Sequence, residues 1–169
     1  MFKGTFDNGP KTIIGISVTS LVREALNLQE TVSCLDSRCN PATIFGLTPA
    51  DAIMIRNPGG RVWSALPDIV ALDSRFPISQ IVIVMHSDCG TSHLTEGLVH
   101  ETIGRASRPN DSDSLRMTDD VVKYKISHGE QSVRDDLALL KMQPYLRKEL
   151  VEGAIGFWLD TFSGLVTAV

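Results

Sequence analysis

The chain has 169 residues, 43% hydrophobic and 21% charged, with a formal net charge of -4 at pH 7. These proportions fit one soluble globular domain and exclude a disordered chain. Basic residues are dispersed, "RKEL" at 147–150 being the nearest to a cluster, which excludes the basic patch of a nucleic-acid binder, and no apolar run approaches the roughly 20 residues of a membrane span.

The start, "MFKGTFDNGPK", lacks the apolar stretch of a secretory signal and the Arg-rich, acid-poor character of an import sequence, so a cytoplasmic protein is expected. The whole chain, 1–169, reads as one domain, with 1–30 an N-terminal arm or helical region. "TIIGISV" (12–18) is an apolar run and "SLVREALNLQE" (20–30) has helical character. "NLQETVS", which leads into Cys34, carries only Leu28 and Val32 as aliphatics. The first strand is therefore either the early run or the segment entering Cys34.

"DAIMIRNP" (51–58) and "SQIVIVMHS" (79–87) are short Ile/Val-rich runs that end in polar or Gly/Pro residues. They read as buried strands of a parallel sheet. Helical spacing of apolar residues predicts helices over 64–76, 91–103 and 132–146, the last with Ser132 as its cap. The polar stretch "RASRPNDSDSLRMTDD" (105–120) reads as a loop. "VEGAIGFWLDTFSGLVTAV" reads as two strands around a "DTFSG" turn. Strands alternating with helices predict an α/β fold: a mostly parallel central sheet of four strands, a C-terminal edge strand and flanking helices. Trp63, Phe157 and Trp158 are candidates for core or interface packing.

Three cysteines, Cys34, Cys39 and Cys89, and no secretion signal argue against a disulfide framework. In a parallel sheet ligands bind beyond the carboxyl ends of the strands. Cys34 and Asp36 follow the first strand, Arg56 and Asn57 end the second, and His86 and Cys89 end the third. His86-x-x-Cys89 puts two metal donors on one turn and Cys34 supplies a third. That set suits zinc with a fourth position left open, the pattern of a catalytic site. Each residue taken alone has an ordinary reading: a buried thiol, a strand-end histidine, a structural ion pair for Asp36 and Arg38.

"CLDSRCNPATIFGLTPADAIMIRNPGGRV" (34–62), followed by "HSDCG" (86–90), resembles the β-class carbonic anhydrases. The order is theirs: C-x-D-S-R, a Pro and a short helix, R-N and glycine, then H-x-x-C-G. The C-terminal half is similar as well, so the likeness covers most of residues 31–166. The resemblance implies Cys34, His86 and Cys89 as ligands of one Zn²⁺ per chain. It implies Asp36 and Arg38 as the catalytic carboxylate–guanidinium pair, with Asp36 hydrogen-bonded to zinc-bound water or itself closing onto the metal. Gly59, Gly60 and Gly90 are expected to line the substrate.

The implied activity is reversible hydration of CO₂ to bicarbonate by zinc-bound hydroxide. Hydrolysis of carbonyl sulfide or carbon disulfide at the same centre is the alternative, and a non-catalytic zinc protein for assembly or bicarbonate sensing is an alternative of another class. A homodimer or a dimer-based oligomer is implied. Three departures stand out: Pro58 where the family usually has Ala, Cys39 where it usually has an aliphatic, and Asp88, which adds negative charge beside the metal. Cys39 is expected to pack in the core. His93, closest in sequence to the ligands, and His100 and His128 are unassigned.

Overall fold

The computed structural model describes residues 29–48, 51–76, 78–106 and 112–169. The early run 12–18 and the helical stretch 20–28 lie outside the described residues. Five strands form one sheet: β1 (Gln29–Cys34), β2 (Ala52–Asn57), β3 (Gln80–His86), β4 (Ile155–Leu159) and β5 (Val166–Ala168). Their order is β2-β1-β3-β4-β5. The first four are mutually parallel and β5 runs antiparallel to β4. This is the expected α/β architecture, with the C-terminal hairpin in the expected place.

β1 settles the question left open at the start of the chain: "QETVSC" is itself the strand. It is held by ladders on both sides, to β2 and to β3, so its hydrogen bonding does not depend on apolar side chains. β3 supplies the apolar mass, with Ile81 to His86 all buried. The core around it includes Val32, Val62, Ile69, Leu140, Leu150 and Phe157.

Among the described residues six helices flank the sheet: α1 (Pro41–Phe45), α2 (Val62–Arg75), α3 (Glu96–Ala106), α4 (Ser112–Val122), α5 (Glu130–Lys141) and α6 (Lys148–Glu152). α1 is short because both ends are fixed locally. Asn40 accepts a hydrogen bond from the Ala42 N–H, Pro41 takes the first position, and Gly46 ends the helix in the left-handed conformation. The start of α2 is clamped to α5: Asp136, buried, accepts from the Arg61 guanidinium and from the Val62 N–H at 2.7 Å. One carboxylate thus satisfies a helix-start N–H and a guanidinium together.

Three expectations need correction. Residues 105–106 and 112–120 are helical rather than loop, since α3 runs to Ala106 and α4 begins at Ser112; 107–111 lie outside the described residues. The helical signal there is thin because Thr118, a polar residue, provides buried contact while Met117 faces solvent. The segment 91–103 is divided, a 3-10 turn over Gly90–His93 preceding α3. Ser132 is not the cap of α5; Gly129 occupies that position, and Ser132 is buried in the first turn. Phe157 is core, in a tilted contact with Phe45 at 5.1 Å. Trp158 is partly buried against the core, and Trp63 stacks on Tyr124.

Glu30 has no precedent in the sequence reading. It is fully buried in β1, and neither carboxylate oxygen has a hydrogen-bond partner among the described residues. Burial, then the charges of Asp68 and Asp73, raises its pKa from 4.5 to about 7. Below 4.5 the group is protonated both folded and unfolded. Between 4.5 and 7 only the folded chain keeps the proton, so stability falls as pH rises through that window. The loss approaches about 3 kcal/mol above it. Urea unfolding of Glu30→Gln beside the parent chain should show the variant gaining about that much relative stability from pH 4.5 to pH 8. A difference that does not change with pH would mean the carboxyl is not held neutral.

Candidate metal centre

After β1 the chain moves outward to β2; after β3 it moves the other way to β4. The carboxyl ends of β1 and β3 therefore border the switch point of the sheet, where a crevice opens in this class of fold. Cys34 is the last residue of β1 and His86 the last of β3. Cys89 follows three residues later. The sheet register alone brings the three expected metal residues together.

Cys34, His86 and Cys89 are buried, and their donor atoms all lie within 4.8 Å of one another. The Cys34 and Cys89 sulfurs are 3.7 Å apart. Two thiolates at about 2.3 Å from a tetrahedral zinc would stand about 3.8 Å apart, so the pair has the span such an ion needs. The imidazole agrees. His86 Nδ1 lies 2.8 Å from the Ser87 carbonyl oxygen. A carbonyl only accepts, so Nδ1 carries the hydrogen. Nε2 is left with a lone pair, buried and without a hydrogen-bond partner among the described residues. A bare buried nitrogen on a residue clustered with two sulfurs suits a metal, its tautomer already set.

Within the thiol pair the two sulfurs share a hydrogen-bond contact. That contact holds the Cys89 thiol well below its ordinary value, down to about 4, and pushes Cys34 up. Burial adds to the rise at Cys34; the Thr91 hydroxyl, 3.1 Å from the sulfur, adds to the fall at Cys89. Cys39 behaves differently. It is fully buried, its thiol reaches toward the Val84 carbonyl at 3.6 Å, and burial raises it to about 12. It is a packed core thiol, as expected.

Asp36 stands outside the three-donor cluster, and Arg38 holds it from two directions. The Arg38 backbone N–H and Nε donate to Oδ1 at 2.9 and 3.0 Å, and a terminal nitrogen donates to Oδ2 at 2.7 Å. Arg38, above all, lowers the Asp36 carboxyl from 3.8 to about 2. A carboxylate offers about four acceptor sites. Three are filled, so one remains on Oδ2. The other arm of Arg38 reaches Asp88, so one guanidinium is shared between two carboxylates.

The sequence reading missed the work of Arg56 and Thr91. Arg56 donates to the Cys34 carbonyl at 2.8 and 3.1 Å and to the Asp36 carbonyl at 2.7 Å. It fixes the backbone between the ligand cysteine and the carboxylate. Asn57 closes the next turn by exchanging hydrogen bonds with Arg61. Inside that turn Gly59 and Gly60 have φ of 72° and 67°. A Cβ on Gly60 would meet the Cys34 nitrogen at 2.8 Å and the Val84 oxygen at 2.9 Å; one on Gly59 would meet the Tyr124 oxygen at 2.5 Å. Gly60 lets backbone press directly against Cys34, and Gly59 against Tyr124. Gly90 is exposed, with open space beside its Cα. His93, His100 and His128 are also exposed.

Comparison with known proteins agrees. A family model described as carbonic anhydrase matches residues 30–166. Among solved structures, the chain is similar to a carbonic anhydrase from Streptococcus mutans, with 30% identity, a TM-score of 0.68, and coverage of 83% of this chain and 80% of that one. A carbonic anhydrase from Glaciozyma antarctica gives 24% identity and a TM-score of 0.71 over 83% of this chain and 80% of that one. The apo form of a carbon disulfide hydrolase shares the fold, at 20% identity and a TM-score of 0.66 over 82% of this chain and 76% of that one. No curated protein sequence matches the chain. The family match runs from the second residue of β1 to the first of β5, across the whole parallel sheet, and the chain belongs to the β-class carbonic anhydrase family.

Proposed function

We propose that this protein is a zinc-dependent carbonic anhydrase that interconverts CO₂ and bicarbonate. The observation that carries the reading is the bare Nε2 of His86, on a residue clustered with two paired sulfurs, beside an ionised carboxylate with one acceptor site to spare. Zinc held by Cys34, His86 and Cys89 supplies the Lewis acidity that makes water nucleophilic near neutral pH. Two thiolates and a neutral imidazole balance its charge. Asp36 takes the hydrogen bond of the attacking water through the free site on Oδ2, aiming a lone pair at the substrate carbon. Arg38 keeps Asp36 ionised and oriented. The water's second proton leaves to buffer, so CO₂ and H₂O give HCO₃⁻ and H⁺.

Of the three glycines, we assign Gly90 to the substrate side, because the space beside it is open; Gly60 backs onto Cys34, and Gly59 onto Tyr124 and Thr91. Three free thiols suit a reducing compartment such as the cytoplasm, and no helix among the described residues is long and apolar enough to cross a membrane. Leu35, Phe162 and Leu165 are large, apolar and exposed. They supply surface for the homodimer, or dimer-based oligomer, that the proposal includes.

The alternative substrate is a sulfur analogue, carbonyl sulfide or carbon disulfide, and one structure that shares the fold is named as a carbon disulfide hydrolase. Two assays on one zinc-loaded preparation therefore test the function: stopped-flow CO₂ hydration and H₂S release from carbonyl sulfide. Rapid CO₂ hydration with little H₂S is expected. Strong H₂S release with slow CO₂ hydration would make the enzyme a carbonyl sulfide hydrolase. Bound zinc with neither turnover would reduce it to a non-catalytic zinc protein.

A further inference from the structure

Asp88 lies between two of the ligands, His86 and Cys89. It has a φ of 52°, the one non-glycine residue in the left-handed region among the described residues. Aspartate tolerates that conformation better than most side chains. Its carboxylate accepts from Arg38 at 3.0 Å, and its own carbonyl accepts from the same guanidinium at 3.2 Å. Arg38 meanwhile makes its two side-chain bonds to Asp36. Four of the five guanidinium N–H groups are thus engaged, two toward each aspartate. The link joins the segment after β1 to the segment after β3, across the mouth of the crevice.

The exposure of the three side chains gives the second aspartate its importance. Arg38 is 36% exposed, Asp36 22% and Asp88 32%. A single pair this open to water is worth little and exchanges readily, whereas a network of charges in fixed geometry holds. Arg38 cannot swing away from Asp36 without also leaving two acceptors on the far side. The geometry points to Asp88 as a positioning residue that locks Arg38 and, through it, the orientation of the Asp36 carboxylate. This rests on the role proposed for Asp36 in the hydration reaction. It gives the extra charge in the H-x-x-C loop a use that its place in the sequence does not show.

The test separates side chain from backbone. Asp88→Gly keeps the left-handed φ and removes the carboxylate; Asp88→Asn tolerates the same φ and keeps an acceptor oxygen. Two readouts are taken: kcat and KM for CO₂ per bound zinc, and solvent exchange of the Arg38 Nε–H by NMR on zinc-loaded and zinc-free protein. For Asp88→Gly the proposal expects kcat to fall about tenfold with KM unchanged, and Nε–H exchange to quicken about tenfold, the scale of one charge-assisted hydrogen bond. Asp88→Asn should recover most of both.

Parent-like kcat and exchange in Asp88→Gly would overturn the proposal, as would an Asn variant no better than Gly. The exchange measurement needs neither turnover nor metal. If the parent chain hydrated no CO₂, the reading of function would fail while the grip of Asp88 on Arg38 would still be decided.

Discussion

Replacing Cys89 by Ser should empty the metal centre. The parent chain should purify with about one zinc per chain, and the variant with less than about a tenth of that after brief exposure to a chelator. Cys89 supplies one of the three clustered donor atoms, its sulfur 3.7 Å from that of Cys34 and 3.1 Å from the Thr91 hydroxyl. A serine hydroxyl in its place stays neutral at any working pH, leaving two donors where zinc needs at least three from the protein. Loss of a partner that merely orients a ligand costs 10- to 100-fold in affinity, as a rule of thumb, and loss of a ligand should exceed about that range. Cys34→Ser should behave the same way. Cys39→Ser is the control: its sulfur reaches the Val84 carbonyl and not the cluster, so zinc should stay stoichiometric. Metal analysis of the three variants checks the assignment. Full zinc in Cys89→Ser would overturn it, and so would loss of zinc confined to Cys39→Ser.

The clustered residues Cys34, His86 and Cys89 could be picked out in the sequence because each is a residue of distinct chemistry placed at or just past the end of a strand. β3 announces itself through consecutive Ile and Val, so the position of His86 at a strand end could be read directly. β1 could not. Glu30, Thr31 and Ser33 are buried polar residues in a central strand, and what makes them a strand is pairing on both edges, which no local pattern reveals. α4 was hidden for a related reason, a polar Thr118 taking the buried position while a methionine faces out. In the site, the missed contributions share one character. Arg56 acts on backbone carbonyls and Thr91 on a sulfur, so their roles consist of contacts, not of residue type. Asp88 was read only as added negative charge beside the metal, and its partner, Arg38, lies 50 residues away in the chain. The glycines after Pro58 were expected to face substrate, and their tightest neighbours are the backbone atoms of Cys34, Val84 and Tyr124.

Asp36→Ala should keep zinc and lose most turnover, with kcat down by about 10² to 10⁴, the usual worth of a positioned acid–base group. Retention of zinc is expected because both Asp36 oxygens are turned to Arg38 and stand outside the cluster of Cys34, His86 and Cys89. The carboxylate is held to about pKa 2, chiefly by Arg38, so it stays ionised throughout any assay above pH 4 and contributes no limb of its own to the rate profile. Asp36→Asn sharpens the test. It preserves size and one acceptor oxygen but removes the charge, so it should lie between Ala and the parent in kcat. Zinc analysis and stopped-flow hydration on the same samples decide. Undiminished kcat in Asp36→Ala would remove Asp36 from the reaction. Loss of zinc from that variant would make Asp36 a fourth ligand that closes the centre at rest, and the open arrangement inferred from its bonds to Arg38 would be wrong. Full zinc with lost turnover leaves the remaining acceptor site on Oδ2 as the place where the protein grips the attacking water.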